Sequence, residues 1–234
     1  MEDFQLFGLQ HLTALGVTAL FSYMFFRLGS GKLSTPIGRG FGLTLILYAT
    51  GFWGYKLWDG VQLELDLPLA LCDITFLFCV ACFFKPNPKL LTWVTYWGLG
   101  GTLQALITPD IATAFPSLEF LFFFIGHSVI VLAVFFLLGQ NPHESLSGWT
   151  ALKNSFNGLL VYTIIVGMLN YLADWNYGYL MEKPNGASIL DFFGPWPVYV
   201  GGGLALAFCI FATLSVLLKA LPGLSPTEKQ ALTP

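Results

Sequence analysis

Seven stretches of this chain are long and apolar enough to cross a lipid bilayer, which leaves few ways for it to fold. They run at Phe7–Phe26, Ile37–Tyr55, Pro68–Phe84, Leu90–Ile107, Leu118–Leu138, Leu152–Ala173 and Val198–Leu218. A spanning helix needs about 20 mostly apolar residues, and in hydrocarbon every backbone polar group has to be satisfied within the protein. The runs lack the period-two alternation of a strand, so they predict helices. Composition agrees: 10% of the 234 residues are charged and 56% are hydrophobic, whereas a water-facing domain carries roughly 25% charged residues. Turn chemistry in "GSGKLSTP", "KPNPK", "TPD", "GQNPHESLSG" and "WNYGYLMEKPNGASILDFFGPWP" separates the runs. The expected architecture is an all-α, polytopic bundle of seven transmembrane helices, one domain over residues 1–234 with no linker.

Basic residues set the direction. Arg27, Lys32, Arg39, Lys85, Lys89, Lys153, Lys219 and Lys229 fall on one side of this layout, and only Lys56 and Lys183 on the other. By the positive-inside rule the chain is N-out and C-in, a multi-pass protein of the cell membrane. Trp53, Trp58, Trp175, Trp196 and Tyr199 lie near the outer boundary as an aromatic belt. The acidic opening "MEDFQLFGLQH" has no basic n-region and does not read as a cleavable signal peptide. No basic run suggests a nucleic-acid partner.

Polar side chains gather toward the outer leaflet. At about 1.5 Å of rise per residue, Cys72 and Asp73 lie a few residues into the third span, which is expected to start at Pro68 with Asp66 as its cap. His127 lies deeper on the fifth span, Gln104 and Asn170 near the outer ends of the fourth and sixth, His11 on the first, and Asp174 closes the sixth. Ionisable groups alone in hydrocarbon are costly, so the clustering predicts a water-accessible cavity open to the outside. Gln104 and Asn170 equally suit interhelical packing. Cys79, Cys82 and Cys209 read as small buried hydrophobes, and the Cys79–Cys82 spacing alone does not make a metal site. No phosphate loop or metal cluster appears, so neither cofactor nor metal is expected. Cys72 and His127 have the chemistry of an activated nucleophile and its proton carrier, if helix tilt brings them together.

The segments "LPLALCDITFL", "YWGLGGTLQALITPDI", "FFFIGHSVIVLAVFF" and "NYGYLMEKPNGASILDFFGPWPVY" resemble successive signatures of the bacterial YwaF-like integral membrane proteins. More distantly they resemble eukaryotic transmembrane protein 164. That resemblance implies a seven-span protein of a bacterial inner membrane. It also implies a lipid acyltransferase or acyl hydrolase acting on membrane phospholipid or another acyl lipid, with Cys72 and His127 at the matching positions. Asp73, Gln104, Asn170, His11 and Asp174 would then bind or orient substrate, Gln104 or Asn170 holding the oxyanion. The competing expectation is a small-molecule transporter or binding protein that uses the same cavity without catalysis, and a structural or assembly role is a third.

Overall fold

The computed structural model describes residues 3–140, 146–184 and 188–220. Lys229 and the turn residues 141–145 lie outside the described residues. The described chain is helical: α1 Leu9–Gly29, α2 Ser34–Asp59, α3 Leu63–Asp66, α4 Leu71–Phe84, α5 Pro88–Trp97, α6 Leu103–Ile107, α7 Leu118–Gln140, α8 Gly148–Ala173 and α9 Val198–Ala220. A π-helical turn at Gly98–Thr102 joins α5 to α6, and 3-10 turns at Tyr177–Tyr179 and Ile189–Phe193 shape the connection from α8 to α9. Extended pairing among the described residues is confined to a single bridge between Asp3 and Thr113.

Four helices, α1, α7, α8 and α9, are long and apolar enough to cross a membrane. Their surroundings decide the class of protein. Only 11% of the most apolar window of α9 and 17% of that of α1 are buried within the protein. Helices this apolar and this uncovered need an apolar solvent, so the chain is a membrane protein. By contrast α7 is the central post, with half of its window buried.

The contacts at the helix ends order the bundle. At one end, His11 near the start of α1 bonds to Leu106 at the end of α6, and Gln10 accepts the Phe115 N–H just before α7. At the other end, Gly29 of α1 meets Gly139 and Phe136 of α7, so α1 and α7 run parallel. A Cβ on Gly29 would overlap the Phe136 carbonyl oxygen, and one on Gly139 would overlap that of Phe26. The two backbones touch, which only glycine allows. Gly42 near the start of α2 packs on Phe83 and Phe84 at the end of α4, so these two run antiparallel. Trp93 and Trp97 of α5, stacked at 5.4 Å, donate to the Asn154 and Ser155 carbonyls of α8. The Gly148 N–H at the start of α8 donates to Ser215 near the end of α9.

The third apolar segment differs from its expectation. Asp66 does not cap a helix beginning at Pro68; it ends α3, accepts the Gln62 N–H at 2.9 Å and pairs with Lys56 at 2.7 Å. Leu67 is extended, with φ −63° and ψ 143°, and α4 starts only at Leu71. A proline disfavours helical backbone in the residue before it, so Pro68 holds Leu67 out of a helix. Cys72 and Asp73 are therefore the second and third residues of α4, at its mouth. Cys79 and Cys82 are buried as expected, but Cys209 is exposed on the apolar outer surface.

The α1–α7 contact leads to a direct test. Gly29→Ala or Gly139→Ala should force these helices apart and destabilise the fold by about 1–3 kcal/mol, the usual cost of overpacking. Thermal unfolding in detergent should show a lowered midpoint for each, while Gly16→Ala, whose Cβ meets nothing within 4 Å, should not move it.

Candidate active site

A tyrosine and an asparagine hold the mouth of α4. The Asn170 side chain near the end of α8 takes both backbone polar groups of Tyr177: its Nδ2 donates to the Tyr177 carbonyl at 2.9 Å, and its Oδ1 accepts the Tyr177 N–H at 3.0 Å. The Tyr177 hydroxyl then accepts the Leu67 N–H at 2.8 Å and donates to the Leu63 carbonyl. Tyr162 of α8 donates to the Leu69 carbonyl at 3.1 Å. Three hydrogen bonds thus fix the non-helical approach that delivers Cys72.

Cys72 is half-buried, and the Thr102 hydroxyl donates to its sulphur at 3.6 Å. Thr102 is the last residue of the π turn and is itself fully buried. Such turns often mark functional sites, because they displace a side chain from the regular helical face. Beside it, Asp73 is exposed to the cleft.

Cys72, Asp73 and His127 line one cleft of about 730 Å³ between α2, α4 and α7. Its walls include Tyr48, Phe52, Trp53, Phe76, Phe122 and Phe123, and its outer rim carries Lys56, Asp66, Asp110 and Glu119. His127 lies on Phe123, ring centroids 4.2 Å apart, and its Nδ1 is 2.8 Å from the Phe123 carbonyl oxygen. A carbonyl only accepts, so Nδ1 carries the hydrogen and Nε2 keeps its lone pair. Among the described residues Nε2 has no hydrogen-bond partner, and Cys72 and His127 are not hydrogen-bonded to each other. A second, apolar cavity of about 180 Å³ lies on the other side of the α4 mouth, lined by Leu71, Gly101, Tyr162, Leu190 and Leu204 among others. Tyr179 bounds it and donates to Asp110 of the larger cleft at 2.8 Å.

The other expected site residues are placed elsewhere. Gln104 is exposed and lines neither cavity. Asn170 is buried and spent on Tyr177, so it positions α4 and does not face the cleft. His11 is fully buried among Phe4, Phe7 and Phe124; its Nδ1 accepts the Phe7 N–H at 3.0 Å, which leaves Nε2–H to donate to Leu106 at 2.9 Å. Nε2 joins α1 to α6, and Nδ1 ties α1 to the segment before it, so both nitrogens are used. Asp174 is exposed and adopts the left-handed conformation that ends α8, φ 58° and ψ 43°. Two further residues, Thr102 against the Cys72 sulphur and Tyr48 in the cleft wall, escaped the sequence reading because hydroxyls in apolar helices usually bond to their own backbone. Among the described residues His, Cys, Asp and Glu form no group of three or more suited to a metal ion.

Fold and cleft together define an all-helical membrane protein with a thiol and an imidazole in one polar-rimmed cavity. The model of the TMEM164 family matches residues 6–215, and the chain belongs to that family. Neither the curated proteins nor the solved structures contain a match.

Two consequences concern the frame of the cleft. Asn170→Ala leaves the Tyr177 N–H and carbonyl without partners in a buried place and should destabilise the fold by about 1–3 kcal/mol, read as a lowered unfolding midpoint in detergent. The Asp66 carboxyl would be raised by its burial, but the Lys56 hydrogen bond, the Gln62 N–H and the Lys56 charge hold it below its ordinary 3.8. Its contribution to stability is complete above that ordinary value and is lost as pH falls through the lower folded value. Asp66→Asn should therefore lower the unfolding midpoint at pH 7, and the gap from the native chain should close as pH falls below the ordinary carboxylate range.

Proposed function

We propose that this protein is a membrane-embedded acyl-transfer enzyme acting on phospholipid or another acyl lipid, with Cys72 as nucleophile and His127 as proton carrier. The observation that carries the proposal is the cleft that Cys72 and His127 both line, with the His127 Nδ1–H held by the Phe123 carbonyl and Nε2 without a hydrogen-bond partner among the described residues. The thiol proton passes to Nε2 as sulphur adds to the ester carbonyl carbon. The ester C–O bond then breaks, and the departing lipid alkoxide takes the proton from the imidazolium. An acceptor alcohol, or water in a hydrolase, gives its proton to Nε2 and attacks the thioester, and the sulphur is reprotonated. Catalytic hydrogen bonds commonly tighten only when substrate is bound, which fits the absence of a direct Cys72–His127 bond here.

The apolar cavity beside Leu71 suits an acyl chain, and the aromatic cleft with its charged rim suits a glycerolipid head. Lipid reaches both from the outer leaflet. The arrangement goes with seven passes, α2, α4 and the α5–α6 segment joining the four long helices, and with an N-out, C-in orientation in a bacterial inner membrane. The alternating contacts at the helix ends support it. Arg27, Lys85, Lys89 and Lys219 also gather at the end opposite the cleft's rim. A transporter would place its polar groups near mid-membrane, whereas Cys72 and Asp73 stand at the mouth of α4.

The test is acyl transfer from a phospholipid to a lysophospholipid by purified protein in liposomes. Cys72→Ala should abolish the reaction, and His127→Ala should slow it by about 10²–10⁴. Full activity in Cys72→Ala sinks the assignment.

A further inference from the structure

Neither Gln104 nor Asn170, the oxyanion donors expected from the sequence, faces the cleft. Another side chain has the required properties. Tyr48, in the middle of α2, lines the same cleft as Cys72, Asp73 and His127. Its ring packs on Phe76 of α4 with centroids 6.2 Å apart. Its hydroxyl lies over Gly126 of α7, the residue before His127, where a Cβ would stand 3.2 Å from the phenolic oxygen. Tyr48 thus touches both helices that carry the nucleophile and the proton carrier.

The hydroxyl is unused. Among the described residues it makes no hydrogen bond, not even to Asp73, which lines the same cleft. Nor is it sealed away, since the sealed side-chain orphan among the described residues is Ser22 Oγ. Polar groups at membrane depth are normally paired. A tyrosine hydroxyl that is held on two sides and open on the third is a donor waiting for a ligand. At neutral pH it keeps its proton, because the ordinary phenol value is near 10.

We infer that Tyr48 donates a hydrogen bond to the oxyanion formed on the substrate's ester carbonyl, and that Gly126 is a glycine so that the hydroxyl can lie against α7. The inference rests on the acyl-transfer assignment. When the Cys72 sulphur bonds to the carbonyl carbon, the carbonyl π pair moves onto oxygen and the Tyr48 O–H stabilises that charge without transferring its proton. When the pair returns, the ester C–O bond breaks and the leaving alkoxide takes its proton from His127. Removing a single oxyanion donor typically costs about 10²–10³ in rate.

The experiment uses the full chain in detergent micelles with p-nitrophenyl octanoate as acyl donor. It reads the burst of p-nitrophenolate and, by mass spectrometry, the octanoyl adduct on Cys72. Tyr48→Phe keeps the ring on Phe76 and should lower the maximal acylation rate by about 10²–10³, with half-saturating ester and unfolding midpoint unchanged. Gly126→Ala displaces the hydroxyl by a few tenths of an ångström and should cost on the order of tenfold. An unchanged maximal rate in Tyr48→Phe, or a loss confined to half-saturation, overturns the role given to Tyr48 and leaves the nucleophile assignment standing. No adduct on Cys72 in the native chain overturns both.

Discussion

Asn170 grips the backbone of Tyr177 from two sides, and the cleft depends on that grip. The segment from Leu67 to Ala70 before α4 is non-helical, so some of its backbone groups need partners outside the helical ladder. In a membrane they cannot be left to lipid. From α8 and its following turn, Tyr177 takes the Leu67 N–H and Tyr162 the Leu69 carbonyl, and Tyr177 also anchors Leu63 of α3. Because the segment is held this way, α4 can begin late, at Leu71, and its first turn can open onto the cavity. The same α8 residues therefore serve the fold and, through it, the position of the sulphur.

Around this frame, α7 supplies the opposing wall. It lies against α1 along its length and carries Gly126 and His127 on the face toward α2 and α4. Polar satisfaction explains which residues face the cleft. Where both ring nitrogens are consumed, as in His11, the histidine is a structural tie. Where one nitrogen is tied to its own helix and the other is bare, as in His127, the side chain is equipped for proton transfer. The two residues are of one type in similarly apolar helices, and only their partners separate them.

Much of the helical layout was legible because apolar run length is a local property. The turns were also legible, since proline and glycine act on their immediate neighbours. The depths of Cys72 and His127 on their two helices were readable, but whether the two helices turn them toward one cavity was not. Nor were the faces of the other polar residues. Gln104 illustrates why: counting from Leu90 assumes an unbroken α-helix, and the π turn at Gly98–Thr102 takes in an extra residue. The residues of α6 are thereby rotated by roughly 100°, so Thr102 meets the Cys72 sulphur while Gln104 emerges on the exposed side. Asn170 escaped for another reason. Its partner is a backbone seven residues ahead, in a turn whose shape the sequence does not specify.

By itself, the sequence determined that this chain lives in a bilayer as a helical bundle, because a chain so poor in charge has no other solvent. It also put a thiol, a carboxylate and a histidine near one membrane face. Only the tertiary structure decided which polar groups are free. Hydrogen bonds consume the polar atoms of His11 and Asn170, and among the described residues they leave the His127 Nε2 and the Tyr48 hydroxyl without partners. Such bonds depend on side-chain direction and on how turns and neighbouring helices are placed, which neither composition nor periodicity encodes.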